Sequence, residues 1–123
     1  MDFKTRIKNY LNASFPGIAI ETTEEIRAVT DVFEAAKACG KGVVTWSATE
    51  GLRQVLPTVK EIGDTDDLVA ACRTRIKDCV DILRDIHTWP VDRDPILPRA
   101  LRDLLAWGPS EGSAVVIIAP SFK

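Results

Sequence analysis

The sequence predicts a three-layer α/β fold: a mostly parallel sheet of about four strands, with helices on both faces. Two observations lead there. Short β-branched runs alternate along the chain with segments of helical period, which is the pattern of βαβ units. The run from Ala114 to Ala119 is continuously apolar, as a strand covered on both faces requires. A third observation sets the scale. The chain has 123 residues and neither an internal repeat nor a low-complexity segment, so residues 1–123 are expected to form a single domain.

The elements follow in order. Phe3, Ile7, Tyr10 and Leu11 recur at helical spacing, so residues 2 to 13 are expected to form a short amphipathic helix ended by Pro16-Gly17. Gly17 to Glu21 reads as a short buried strand. Thr22 and Glu25 have the Thr-x-x-Glu spacing of a capping box. Ile26, Val29, Phe33 and Ala36 then mark the expected buried face of a helix that Gly40 ends. The second strand is Gly42 to Trp46. Ser47 to Gly51 is a polar loop, and the stretch Leu52 to Ile62 stays unassigned, with Pro57 interrupting any helix. Asp64 is the expected N-cap of a helix with Leu68, Val69, Cys72 and Ile76 on one side. Cys79 to Asp85 is the third strand, into which Asp81 and Arg84 intrude. A proline-rich loop from Trp89 to Leu97 leads to Pro98 as a first helical residue. Leu101, Leu104 and Leu105 form that helix's expected buried face, Gly108-Pro109 stop it, and Ser113 to Ala119 is the fourth strand.

Composition narrows the function classes. A net charge of -2 leaves no electrostatic footprint for nucleic acid and no polybasic run for an anionic membrane. The longest apolar stretch is far too short to span a bilayer. Asp2, Lys4, Arg6 and Lys8 stand where a signal peptide would be apolar. The three cysteines, Cys39, Cys72 and Cys79, show no CxxC spacing and read as reduced, mostly buried side chains of a cytoplasmic protein. With one histidine and no paired ligand motif, a metal site is not expected.

In open parallel sheets, ligands bind beyond the carboxyl ends of the strands. That edge collects Glu21 to Glu25, Ser47 to Glu50, Asp85 with His87, and Pro120-Ser121. A nucleotide phosphate needs glycine-rich backbone amides and a lysine after the first strand, whereas this chain offers Glu21-Thr22-Thr23-Glu24-Glu25 there. No GxxxxGK[ST] pattern occurs anywhere, and carboxylates already occupy the favourable dipole position at that helix N-terminus.

Three stretches carry a resemblance: Gly17-Ile18-Ala19-Ile20-Glu21-Thr22-Thr23-Glu24-Glu25, Val43-Val44-Thr45-Trp46-Ser47-Ala48-Thr49-Glu50-Gly51-Leu52, and Ile82-Leu83-Arg84-Asp85-Ile86-His87. In this order they resemble the N-terminal part of a family of AAA-type ATPases of bacteria, cyanobacteria and algal chloroplasts. There, a degenerate AAA-like domain precedes an active AAA module. The resemblance runs from the first helix to Ser121, and Thr-Trp-Ser-Ala-Thr-Glu-Gly-Leu is its most specific part. It implies a P-loop NTPase-like core without the P-loop. Asp85 then stands at the acidic end of the Walker B strand, with Ile86 in place of the following glutamate, and Ser121 stands near the polar sensor position. Both are relic cofactor-binding positions, and no catalytic residue is expected. ATP and Mg²⁺ would belong to an active module of the same longer chain, so no cofactor is expected for this one.

The same residues admit plainer roles. An aspartate ending a strand also caps a turn or pairs with an arginine, and His87 also suits loop packing near Trp89. Trp46, Trp89 and Trp107 suit either an aromatic contact surface or ordinary packing. The expected function is a non-catalytic AAA-like module for assembly or regulation of an ATPase, with a protein partner or self-association. The alternatives are a stand-alone adaptor domain and a small hydrolase using the Asp85, His87 and Ser121 edge. The resemblance also implies a strand order in which the first strand lies between the fourth and a fifth. With four strands visible, Ile18-Ala19-Ile20 is expected to have a partner on one side only, leaving an edge that invites pairing with another chain.

Overall fold

The computed structural model describes residues 2–61, 67–85 and 95–121. The elements run α1 (Phe3–Asn12), β1 (Gly17–Glu21), α2 (Glu25–Ala38), β2 (Gly42–Ser47), β3 (Gly51–Leu56), β4 (Lys60–Glu61), α3 (Leu68–Arg73), β5 (Cys79–Leu83), α4 (Ile96–Trp107) and β6 (Ala114–Ala119). A single 3-10 turn, Pro109–Glu111, joins α4 to β6. Among the described residues the sheet has six strands in the order β1-β6-β5-β2-β3-β4. The first four in that order are parallel, and β3 and β4 extend the sheet antiparallel from β2.

The fold is thus the expected α/β sheet between helices, with two strands more than about four. The polar loop Ser47 to Gly51 is the turn of a hairpin, closed by the Ser47 hydroxyl accepting the Glu50 N–H at 3.1 Å. Leu52 to Leu56 pairs back on β2. Its sequence hid this because only Gly51 and Leu52 are buried, while Arg53 to Leu56 are half-exposed and their apolar alternation is faint.

Alternation along the strands divides the core into two layers. Val43, Val80, Ile82, Val116 and Ile118 face α1 and α2, where they meet Ile7, Leu11 and Val32. Val44, Trp46, Leu83 and Val115 face α3 and α4, where they meet Leu68, Cys72, Leu97 and Leu104. Trp46 is fully buried there, so it belongs to no exposed aromatic surface. Trp107 is half-buried beneath the Arg75 guanidinium at 5.8 Å, and Trp89 lies outside the described residues.

Caps place the helices. Asp2 Oδ1 accepts the Thr5 N–H at 2.7 Å and starts α1. The N-cap of α3 is Asp67, whose Oδ1 accepts the Val69 N–H at 2.9 Å; Asp64 lies outside the described residues. α3 ends at Arg73, so Ile76 is not on it. α4 begins at Ile96 rather than at Pro98, and it buries Leu97, Ala100 and Leu104, with Leu101 and Leu105 only partly covered.

α2 sits on the sheet through Ala28, Val32, Ala35 and Ala36. Of the expected face only Ala36 is buried; Val29 and Phe33 are half-buried, and Ile26 is 74% exposed. The helix is turned by roughly a quarter turn from the expectation. Small side chains let the helix axis approach the sheet closely, and the larger apolar residues are displaced to the flank.

Candidate functional site

The four parallel strands end at one edge of the sheet, and their order determines what meets there. The residues beyond them are Thr22 after β1, Pro120-Ser121 after β6, Arg84-Asp85 after β5 and Ala48 after β2. Asp85 and Ser121 therefore follow neighbouring strands at the same edge, as expected. His87 and Ile86 lie outside the described residues.

Backbone bonds carry the ladders past the strand ends. The Thr22 N–H donates to the Ala119 carbonyl at 2.9 Å, and the Arg84 N–H to the Trp46 carbonyl at 2.9 Å. Asp85 is then held against the β2–β3 hairpin, where its Oδ2 accepts the Ala48 N–H at 2.8 Å. That bond ties the end of β5 to the hairpin turn, the plain role for an aspartate ending a strand. Ser121 is exposed at the rim.

The turn from β1 to α2 departs from a capping box. The Thr22 hydroxyl accepts the N–H of Glu24, two residues on, at 3.0 Å, and Glu24 stands at the N-cap without a side-chain cap bond. Glu25 does not reach back. Its Oε2 accepts from Arg84 Nη2 at 3.0 Å, linking the start of α2 to the end of β5. The sequence marked Arg84 only as an intruder in a strand; an arginine beyond a strand's carboxyl end, facing a glutamate in a helix's first turn, was the available signal.

A cavity of about 300 Å³ opens beside this turn, lined by Phe3, Ile20, Glu21, Glu24, Arg27 and Asp31 among others. Among the described residues its one lining cation is Arg27, which lies 3.6 Å from Glu24. A phosphate chain would face carboxylates without a lysine, and one turn amide is already taken by Thr22. The residues present do not fit a nucleoside triphosphate.

Other titratable groups lie away from this edge. Burial pushes the Cys72 thiol up to about 12, so it stays protonated and inert. Burial likewise raises the Asp81 carboxyl to about 7, on the face of β5 that carries Cys79 and Leu83. Among the described residues, no three His, Cys, Asp or Glu side chains gather as a metal site, and no helix is long and apolar enough to cross a membrane.

Set against known protein families, residues 3–123 match the family model described as SpoVK-like AAA ATPase, N-terminal domain. No curated protein and no solved structure gives a match.

Proposed function

The chain belongs to the family of SpoVK-like AAA ATPase N-terminal domains, and from that membership we propose that it is a non-catalytic AAA-like module serving assembly or regulation of an ATPase. The observation that carries this reading is the first βα turn. Glu21, Glu24 and Asp31 line the cavity where phosphate would sit, and neither a glycine-rich loop nor a lysine stands there. The engagement of Asp85 with the Ala48 N–H supports a structural role for the relic Walker B position. Ser121 occupies the relic sensor position beside it. In this reading ATP and Mg²⁺ belong to an active module of the same longer chain, and the protein works in the cytoplasm.

The partner side of the reading is supported by the sheet edge. Among the described residues β1 has a strand neighbour on one side only, β6, which agrees with the strand order that the resemblance implies. An edge of this kind accepts a further strand from the longer chain or from a second copy. The function is tested by calorimetric titration of the 123-residue chain with Mg²⁺-ATP, together with a phosphate-release assay. The expected outcome is no binding heat and no release above background. Low-micromolar affinity would overturn the reading. A reading frame that runs on into a GxxxxGK[ST] segment would separate this module from a stand-alone adaptor.

A further inference from the structure

Among the described residues three polar side chains are buried: Ser47, Asp81 and Ser113. Both serines have partners. The Ser47 hydroxyl accepts the Glu50 N–H, and the Ser113 hydroxyl donates to the Ile76 carbonyl at 2.7 Å. The Asp81 carboxyl is only 6% exposed and accepts a hydrogen bond from no described residue. An ionised carboxylate is strongly disfavoured in such a place, and either a proton or water relieves it.

The surroundings of Asp81 offer no charge to pair with. β2 and β6 place Val44 and Val115 beside it in the sheet. Across the same layer α4 brings Leu97 and Leu104, and α3 brings Leu68 and Cys72. Burial first, and then the Asp81 charge, pushes the Cys72 and Cys79 thiols up, which puts the three groups in one neighbourhood. The charges further out are Asp67 at the start of α3, which acts on Cys72, and Asp78 and Lys41, which act on Cys79. Lys41 is engaged by the Gly112 carbonyl, and desolvation alone moves the Asp81 carboxyl.

Water needs an opening, and the elements around Asp81 differ in how easily they give one. β5 is held by ladders on both sides. α4 has twelve residues and runs on through the 3-10 turn into β6. α3 has six residues and is held by the packing of Leu68, Val69, Ala71 and Cys72 and by its Asp67 cap. A helix this short does not persist without its packing, so α3 is the weakest cover of the layer.

We infer that α3 is a proton-controlled flap over β5, lying on the sheet while the Asp81 carboxyl carries a proton and lifting when that proton passes to solvent. The lifted state hydrates the carboxylate and bares the Cys72 thiol together with Leu68 and Val69. The direction follows from burial, which raises the carboxyl from the ordinary 3.8 to about 7. The hold on α3 is therefore full below the ordinary value and is lost as pH rises towards about 7. The flap is independent of the nucleotide reading, and neither result decides the other.

The test is amide hydrogen exchange of the 123-residue chain by NMR at pH 5 and pH 7.5, with and without low urea, for the unaltered protein and Asp81→Asn. The Ala71 amide, which donates to the Asp67 carbonyl, reports on α3 together with the Cys72 amide, and the Val32 amide reports on α2. In the unaltered protein the α3 protection factors are expected to fall at least roughly tenfold between the two pH values. Their exchange is expected to respond little to urea, as a local opening does, and Asp81→Asn is expected to remove most of the fall. Equal α3 protection at both pH values would overturn the inference. So would α3 and Val32 amides exchanging at one common level with the same steep urea dependence, since α3 would then leave the sheet only when the whole chain unfolds. If Asp81→Asn does not fold, the pH and urea dependences of the unaltered chain still decide.

Discussion

Asp81 lies in the middle of β5, between two parallel neighbours, with its side chain on the layer shared with Cys72 and Cys79. Desolvation raises its carboxyl from the ordinary 3.8 to about 7. A raised acid pKa means that the folded state holds a proton that the unfolded state has lost. Stability is therefore full below the unfolded value and falls as pH rises from about 4 to about 7. Asp81→Asn keeps the shape without the charge. It is expected to be more stable than the unaltered protein at pH 8 by roughly 1–3 kcal/mol, and to show little gain at pH 4. Urea denaturation at the two pH values measures both, and an equal effect at each would contradict the assignment. Asp85 is half-buried at the strand end and has a defined acceptor role. Asp85→Ala leaves the Ala48 N–H without its partner and is expected to cost about 1 kcal/mol. Added Mg²⁺ is expected to leave the melting temperature of either form unchanged, and a Mg²⁺-dependent rise only in the unaltered chain would restore the metal role.

At the scale of elements, α2 and β1 each set up a contrast that can be measured. Val32 is fully buried under α2 and Ile26 is 74% exposed on its flank. Val32→Ala is expected to cost roughly 1–3 kcal/mol through lost burial and a residual cavity. Ile26→Ser on the same helix is expected to stay within about 0.5 kcal/mol. Comparable losses would mean that the helix is turned the other way, with its larger apolar residues inward. In β1 the bonds of the parallel ladder alternate. The Thr22 N–H reaches the Ala119 carbonyl and the Val115 N–H reaches the Pro16 carbonyl, so the Ile18 and Ile20 amides point to β6 and the Ala19 amide points to the open side. In a monomeric preparation, Ile20 is expected to be protected from hydrogen exchange and Ala19 to exchange fast. Strong protection at Ala19 would mean a second strand neighbour.

For the whole molecule, the open side of β1 bears on assembly. Gly17-Ile18-Ala19-Ile20-Glu21 is short and apolar, and it carries no lysine or proline to discourage pairing. Beside it a groove of about 440 Å³ is lined by Phe3, Tyr10 and Phe15 with the strand itself. Light scattering of the 123-residue chain is expected to show a mass that rises with concentration. Ala19→Pro removes an N–H that the β6 ladder does not use, so it is expected to keep the fold and to abolish that rise. Association that persists in the proline variant would place the contact elsewhere on the surface.

The alternation of apolar strands with helical segments determined the fold class from sequence alone, because a strand buried on both faces has to be apolar throughout and Val115 to Ile118 is. That Glu21-Thr22-Thr23-Glu24-Glu25 follows β1 in place of a glycine-rich loop was equally legible, since it depends on which residues stand there and not on where they point. The resemblance supplied the placement of Asp85 and Ser121 on neighbouring strands, which order alone could not. What escaped the sequence were features decided by tertiary contact. The β2–β3 hairpin is held by ladder bonds to β2, and its half-exposed residues left little periodic trace. The turned face of α2 depends on alanines that pack closely against a sheet, and a reading of larger apolar residues passes over them. Glu25 looked like a cap and found Arg84, which is 59 residues away in sequence. Arg53 and Arg84, paired with Glu50 and Glu25, line one cavity only because β3 and the end of β5 flank β2. Local pattern is written along the chain. Which polar group meets which across the sheet is settled by strand order and helix rotation, and these follow from packing the whole core at once.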